Sequence, residues 1–320
     1  MTETQRHRNA AGLPGLRERT VLAVLERGAR EHPDREAITD EERTVTYAEL
    51  LAAARRAAGG LRGLGVGAGD TVALMLDNSL DHALAWFGCS LLNAAEVPLN
   101  TAFMAPQLGY VIGHCGAQVL VIEERYLDRL RAVAGQLPAL KFVVVRGDPA
   151  AAADLPFTAV SFAQVAGGPD TEPVRARPQD LLGILYTSGT TGMPKGVIWT
   201  HDDLRETSLV ALRKLGPVPE NSEQVVQAIK LMGPGSRLLP ACPLMHGTGL
   251  LMALSNMLSG GCVVTLLHHS LNAHELWKAV EDNKVATVVI VGDAFAKPML
   301  AALEEQPGRY DTSSIVNILS

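Results

Sequence analysis

The 320-residue sequence contains no Gly-Lys pair, no CxxC pair, no internal repeat and no apolar run long enough to span a membrane. Each absence removes a class. Without Gly-Lys-Ser/Thr there is no Walker loop of the P-loop NTPases. Four scattered cysteines, Cys89, Cys115, Cys242 and Cys262, are expected as small buried apolar side chains of a reduced compartment. The first twenty residues, MTETQRHRNAAGLPGLRERT, carry arginines but no apolar stretch behind them, so they are not expected to be a secretory signal. Residues 1–17 are expected to form a flexible arm, and the protein to be cytoplasmic. Charge is also scarce, at 19% of residues, which is too little for a disordered chain. The net charge of −6 argues against nucleic acid or an anionic membrane as a partner, because those surfaces are held by clustered Lys and Arg. Any phosphate bound here must be held by local geometry.

What is present is an alternation of strand and helix patterns. Strands are expected at EAIT (36–39), TVT (44–46), 71–76, 118–123, 141–145, 183–187, 196–200, 262–267 and 286–292. Helices are expected over 21–31, from Tyr47 to about Leu64, over 81–93, 126–137 and 273–283, after Asp202, after His246 and over 294–303. Near-continuous Val/Ile/Leu strands separated by helices are the pattern of parallel sheets covered on both faces, an α/β fold. Residues 146–180, rich in Ala, Pro, Gly and Asp, are expected as a loop, and residues 216–236 as a polar segment. HHSLNAH (268–274) has histidines at spacings that suit neither one helix face nor a zinc site, and is expected as a surface turn. The last residues, SSIVNILS, begin an apolar strand and stop, as though the sequence were cut short.

Between two of these strands lies YTSGTTGMPKGV (186–197). Gly189 and Gly192 can adopt positive φ and turn successive amides inward, and such nests bind anions. Thr187, Ser188, Thr190 and Thr191 add hydroxyl donors, Pro194 stiffens the exit, and Lys195 supplies a point charge suited to phosphate oxygens. The set fits a polyphosphate better than a plain Gly/Ser linker. A second glycine cluster, Gly63-Leu64-Gly65-Val66-Gly67-Ala68, loosely matches the dinucleotide fingerprint but follows a helix and precedes a strand. It is expected to be a helix C-terminus and turn.

YTSGTTGMPKG resembles the phosphate-binding loop of the adenylate-forming superfamily, and four further stretches agree. VTYAEL (45–50) and LLNAAEVPLN (91–100) resemble early family elements, the second with Ala94 where glycine is usual. PLMHGTG (243–249) is similar to an element of acyl-CoA synthetases. VIVGDAFAKPML (289–300) is similar to fatty-acid and steroid-acid CoA ligases. The resemblance spans about residues 20 to 320.

It implies an ATP-dependent acyl-CoA synthetase of fatty or steroid-type acids. The carboxylate attacks the α-phosphorus of ATP to give an acyl-adenylate and pyrophosphate, and coenzyme A thiolate then displaces AMP. By motif position, Thr187, Ser188, Gly189, Thr190, Thr191, Gly192 and Lys195 would hold the ATP phosphates with Mg²⁺, and Lys195, Thr190 and His246 would be catalytic. His246, Gly249 and Leu250 would contact the acid. For His246 the alternative is a histidine capping the following helix, and for the apolar run after it the alternative is plain core. No metal-ligating protein side chain is implied. The resemblance also implies two stacked, interwoven subdomains within residues 18–320: residues 66–215 with the phosphate loop, and 18–65 joined to 236–320. The adenine-binding segments, the hinge and the small mobile C-terminal domain of the family have no counterpart in the sequence. Two alternatives therefore stand beside the synthetase: a truncated, non-catalytic remnant that binds nucleotide or a partner, and a ligase that delivers its acyl group to a carrier protein.

Overall fold

Runs in which every residue is buried, such as Val119–Glu123, form where helices cover both faces of a strand. The computed structural model, which describes residues 20–187, 193–204, 206–207, 222–267 and 270–320, contains two such sheets. Helix α1 (Val21–Glu31), capped by Thr20, leads into the antiparallel pair β1 (Glu36–Thr39) and β2 (Thr44–Thr46). Helix α2 (Tyr47–Gly63) starts on a capping box in which Thr46 and Glu49 satisfy each other's backbone amides.

The first parallel run then builds one sheet. It comprises β3 (Thr71–Met75), α3 (Leu80–Leu91), β4 (Ala95–Pro98), α4 (Ala105–Cys115), β5 (Val119–Glu123), α5 (Leu127–Arg131), β6 (Phe142–Arg146), β7 (Thr158–Ser161) and α6 (Phe162–Ala166). The strands β8 (Leu181–Thr187) and β9 (Lys195–Thr200) close its edge as an antiparallel hairpin. The order is β7-β6-β5-β3-β4-β8-β9.

Beyond α7 (Ser222–Met232) the chain returns to the β1–β2 pair. The elements β10 (Arg237–Pro240), α8 (Gly247–Leu258), β11 (Cys262–Val264), α9 (Ala273–Asn283), β12 (Thr287–Val289), α10 (Asp293–Glu305) and β13 (Asn317–Leu319) complete a sheet of order β13-β12-β10-β11-β1-β2. One apolar cluster joins the two sheets. It includes Ile38 and Val263 of the second sheet, Val72, Leu74 and Val121 of the first, and helices α2, α3 and α8 between them.

Three expectations need correction. Residues 146–180 are not a plain loop but hold β7 and α6, after which a strap crosses α2. Arg55 pairs with Asp170 at 2.6 Å and with Glu172 at 2.7 Å, and Gly59 of α2 lacks a side chain where a Cβ would overlap the Pro169 carbonyl. Residues 126–137 are not one helix, because the chain bends at Val133 to pack against Gly109 of α4. The polar segment 216–236 holds α7. The glycine cluster after α2 is the expected turn, with Gly65 at φ +89°. All four cysteines are free, three of them buried. No helix among the described residues is long and apolar enough to cross a membrane. His268 and His269 of the expected surface turn lie outside the described residues.

Candidate active site

The hairpin β8–β9 pairs Tyr186 with Gly196 and Thr187 with Lys195. Ser188, Gly189, Thr190, Thr191 and Gly192 of the expected phosphate loop lie outside the described residues. The described part of the hairpin is anchored on one face. Ile184 and Tyr186 pack against the cluster under α4, and the Tyr186 hydroxyl meets His114 Nδ1 at 2.6 Å. Gly196 leaves room for the Tyr186 ring, since a Cβ there would come within 3.2 Å of it. Because strand side chains alternate and directly paired residues share a face, Leu185, Thr187, Lys195 and Val197 lie on the opposite side of the hairpin. Thr187 and Lys195 are exposed, and Lys195 has no carboxylate partner among the described residues. A hydroxyl and an uncompensated ammonium at a hairpin mouth are a donor set suited to phosphate oxygens.

The same face meets the turn that carries His246. Gly247 lies beside Leu185: a Cβ there would be 3.6 Å from Leu185 Cδ1. Between β10 and α8 the chain is held by the other sheet. Leu244 N donates to Asn78 Oδ1 at 2.7 Å, Asn78 Nδ2 donates to the Cys242 carbonyl at 3.2 Å, and Thr101 N approaches Met245 Sδ at 3.2 Å. His246 occupies the N-cap position of α8, but its side chain makes no capping bond. Its imidazole is exposed at the surface, yet enough protein surrounds it that partial desolvation lowers its pKa below the ordinary histidine value.

The other two expected substrate contacts face inward. Gly249 is buried, and a Cβ there would lie 2.9 Å from the Pro243 carbonyl, so close backbone approach accounts for the glycine. Leu250 lines an apolar cavity between α3 and α8, together with Trp86, Leu244 and Met257.

Beside this turn, the C-terminal ends of β3, β5 and β6 carry a charged network that sequence reasoning missed. Arg146 bridges Asp81 at 2.9 Å and Glu123 at 3.3 Å, and the Tyr126 hydroxyl donates to Asp77 at 2.7 Å. Burial raises the Glu123 pKa, and Arg146 partly opposes that shift. His82 Nδ1 lies 3.3 Å from the Asp77 carbonyl, and burial pushes its pKa down to about 4, so it is neutral. These groups tie the strand ends to one another where doubly wound sheets usually open a ligand crevice. Their one sequence signal was a polar stretch, LDNSLDH (76–82), after a buried strand.

A family model described as AMP-binding enzyme matches residues 25–320. A 3-oxocholest-4-en-26-oate–CoA ligase of Rhodococcus rhodochrous is 32% identical over 296 residues, covering 90% of this chain and 52% of that protein. The medium-chain acyl-CoA ligase Mig of Mycobacterium avium is 30% identical over 313 residues, covering 92% and 56%. Among solved structures, the anthranilate CoA ligase AuaEII in complex with anthranoyl-AMP aligns with a TM-score of 0.79 at 23% identity, over 97% of this chain and 56% of that one. The inhibitor-bound N-terminal domain of FACL13 from Mycobacterium tuberculosis aligns with a TM-score of 0.75 at 23% identity, over 93% and 69%. The chain spans about half the length of the curated relatives it matches.

Proposed function

Because the chain belongs to the AMP-binding enzyme family, we propose that it binds ATP at the β8–β9 hairpin and serves an acyl-CoA synthetase acting on fatty or steroid-type carboxylic acids. The observation that carries this reading is the pairing of Thr187 with Lys195, which has no carboxylate partner among the described residues, on the hairpin face that meets the His246 turn. Under it, the amides and hydroxyls of residues 187–192 and the Lys195 ammonium hold the β- and γ-phosphates. Magnesium arrives with the nucleotide and neutralises phosphate charge.

A carboxylate is already a nucleophile at pH 7, so the first step needs alignment and charge neutralisation rather than a general base. Lys195 supplies charge where pyrophosphate leaves. His246, neutral at pH 7, offers an N–H donor to orient the incoming carboxylate, and the apolar start of α8 favours an acid with an apolar body. The acyl-adenylate then passes its acyl group to the coenzyme A thiolate, with AMP as leaving group. The seven-stranded sheet, within residues 66–215, is the phosphate-binding subdomain on this reading, and residues 18–65 with 236–320 form the acid-facing one.

Titration calorimetry of the 320-residue chain with Mg-ATP tests the first step. Lys195→Ala is expected to weaken binding about 10- to 150-fold, the worth of one charge-assisted hydrogen bond of about 1.5–3 kcal/mol. Equal affinity in the two proteins, or no ATP binding by the wild type, overturns the phosphate-site assignment. Carboxylate-dependent pyrophosphate exchange and CoA-ester formation then test the two half-reactions separately. Acyl transfer to a carrier protein instead of coenzyme A appears as exchange without ester.

A further inference from the structure

Asn78 stands just beyond β3 of the seven-stranded sheet, yet among the described residues its side-chain hydrogen bonds all reach the chain that leaves β10 of the other sheet. Its Nδ2 donates to the carbonyls of Pro240 at 3.4 Å and Cys242 at 3.2 Å, and its Oδ1 accepts from Leu244 N at 2.7 Å. Three backbone groups of the turn that leaves β10 are thus satisfied by one side chain. The carboxamide suits this task because donor and acceptor sit on one short planar group. Aspartate keeps the acceptor but sets a carboxylate oxygen against two carbonyl oxygens, and alanine leaves the backbone groups unpaired.

The turn held in this way ends at His246, and its next residue, Gly247, abuts Leu185 of the phosphate hairpin. A shift of the turn therefore changes the spacing between His246 and the hairpin mouth. We infer that Asn78 is a positioning residue: it fixes the His246 turn against the seven-stranded sheet and so sets the distance between the acid-orienting and phosphate-binding halves of the site. The halves take those names from the ligase reading, whereas the clamp itself does not depend on it.

A purely structural asparagine would lower the melting temperature without a local signature, so the test reads the turn directly. In the wild-type chain, amide exchange followed by NMR is expected to protect Leu244 N–H as strongly as the strand amides of β10. Asn78→Ala and Asn78→Asp are each expected to speed exchange at Leu244 about tenfold relative to those strand amides. Both variants should also raise the titration midpoint of the His246 ring toward the ordinary histidine value as its surroundings loosen.

Leu130→Ala, in the cluster on the far face of the seven-stranded sheet, serves as the control. It should lower the melting temperature while leaving both local readouts unmoved. Should either Asn78 variant fail to fold, the wild-type measurement still decides: fast exchange at Leu244 overturns the clamp. So does an Asn78 variant that melts earlier with Leu244 exchange and His246 titration unchanged. Neither readout needs turnover, so loss of the ligase reading leaves this result standing. If the chain supports pyrophosphate exchange, Asn78→Ala should raise the KM for the acid several-fold and leave that for ATP within a factor of two.

Discussion

Glu96 is a carboxyl group at the centre of a parallel sheet, on β4 between β3 and β8. It is 3% exposed, one of its oxygens has no hydrogen-bond partner, and burial raises its pKa well above 4.5. The Trp86 indole is close enough to favour the charged form slightly, but makes no hydrogen bond to it. Room for the side chain comes from Gly183 on the paired strand, where a Cβ would lie 3.1 Å from Glu96 Cγ. The folded chain keeps this proton over a range where the unfolded chain has lost it. The stabilisation is therefore complete below pH 4.5 and declines as pH rises toward the folded pKa. Glu96→Gln is expected to gain stability relative to the wild type as pH rises above 4.5. Denaturant titrations at pH 5 and pH 8 check this, and a constant gap between the two proteins refutes it. His82 and His201 act with the opposite sign. Burial lowers each from 6.5 to about 4, so stability present above pH 6.5 is lost as pH falls toward 4. Melting temperatures at pH 7, 5.5 and 4.5 should fall in that order, and Gln at both positions should flatten the trend.

At the scale of elements, α8 owes its seat to Gly249. Gly249→Ala removes a poor helix former, worth about 1 kcal/mol, but drives a Cβ into the Pro243 carbonyl, and overpacking of that kind costs about 1–3 kcal/mol. The expected net effect is a lower melting temperature in a thermal denaturation, with the His246 turn displaced. Elements with a strong apolar pattern were legible in the sequence: β3, β5, β6, α2 and α9. The α/β class and the strands flanking the glycine-threonine loop followed from the same signals. What stayed hidden has a common cause. β4 and β10 are four residues long and include Glu96, Arg237 and proline, which composition rules assign to the surface or to turns. β7 is short and only half-buried, and α6 is five residues long. In α4, Pro106, Gly109 and Gly113 read as breaks, although proline is tolerated in a first turn and Gly109 makes room for Val133. The Asn78 clamp was invisible for another reason. Its partners are backbone atoms up to 166 residues away, and a backbone partner leaves no trace in side-chain identity.

For the whole molecule, the exposed edge of the second sheet matters most. On β13, Ile318 is 49% and Leu319 40% exposed, and Val316 just before it is 76% exposed. An apolar edge with free backbone donors and acceptors is a template for pairing with another chain. Concentration-dependent association is therefore expected by light scattering, and Ile318→Lys should reduce it while leaving the melt nearly unchanged. A wild-type chain monodisperse at tens of micromolar contradicts this expectation. The order in which the sheets are threaded has its own outcome during synthesis. Ile38 on β1 pairs with Val263, which the ribosome adds 225 positions later. At about 5–20 residues per second, the opening hairpin waits roughly 10–45 s for its neighbour, while the intervening sheet has all its strands in hand. In a growing cell, that interval makes the earliest strands natural clients for a chaperone at the exit tunnel.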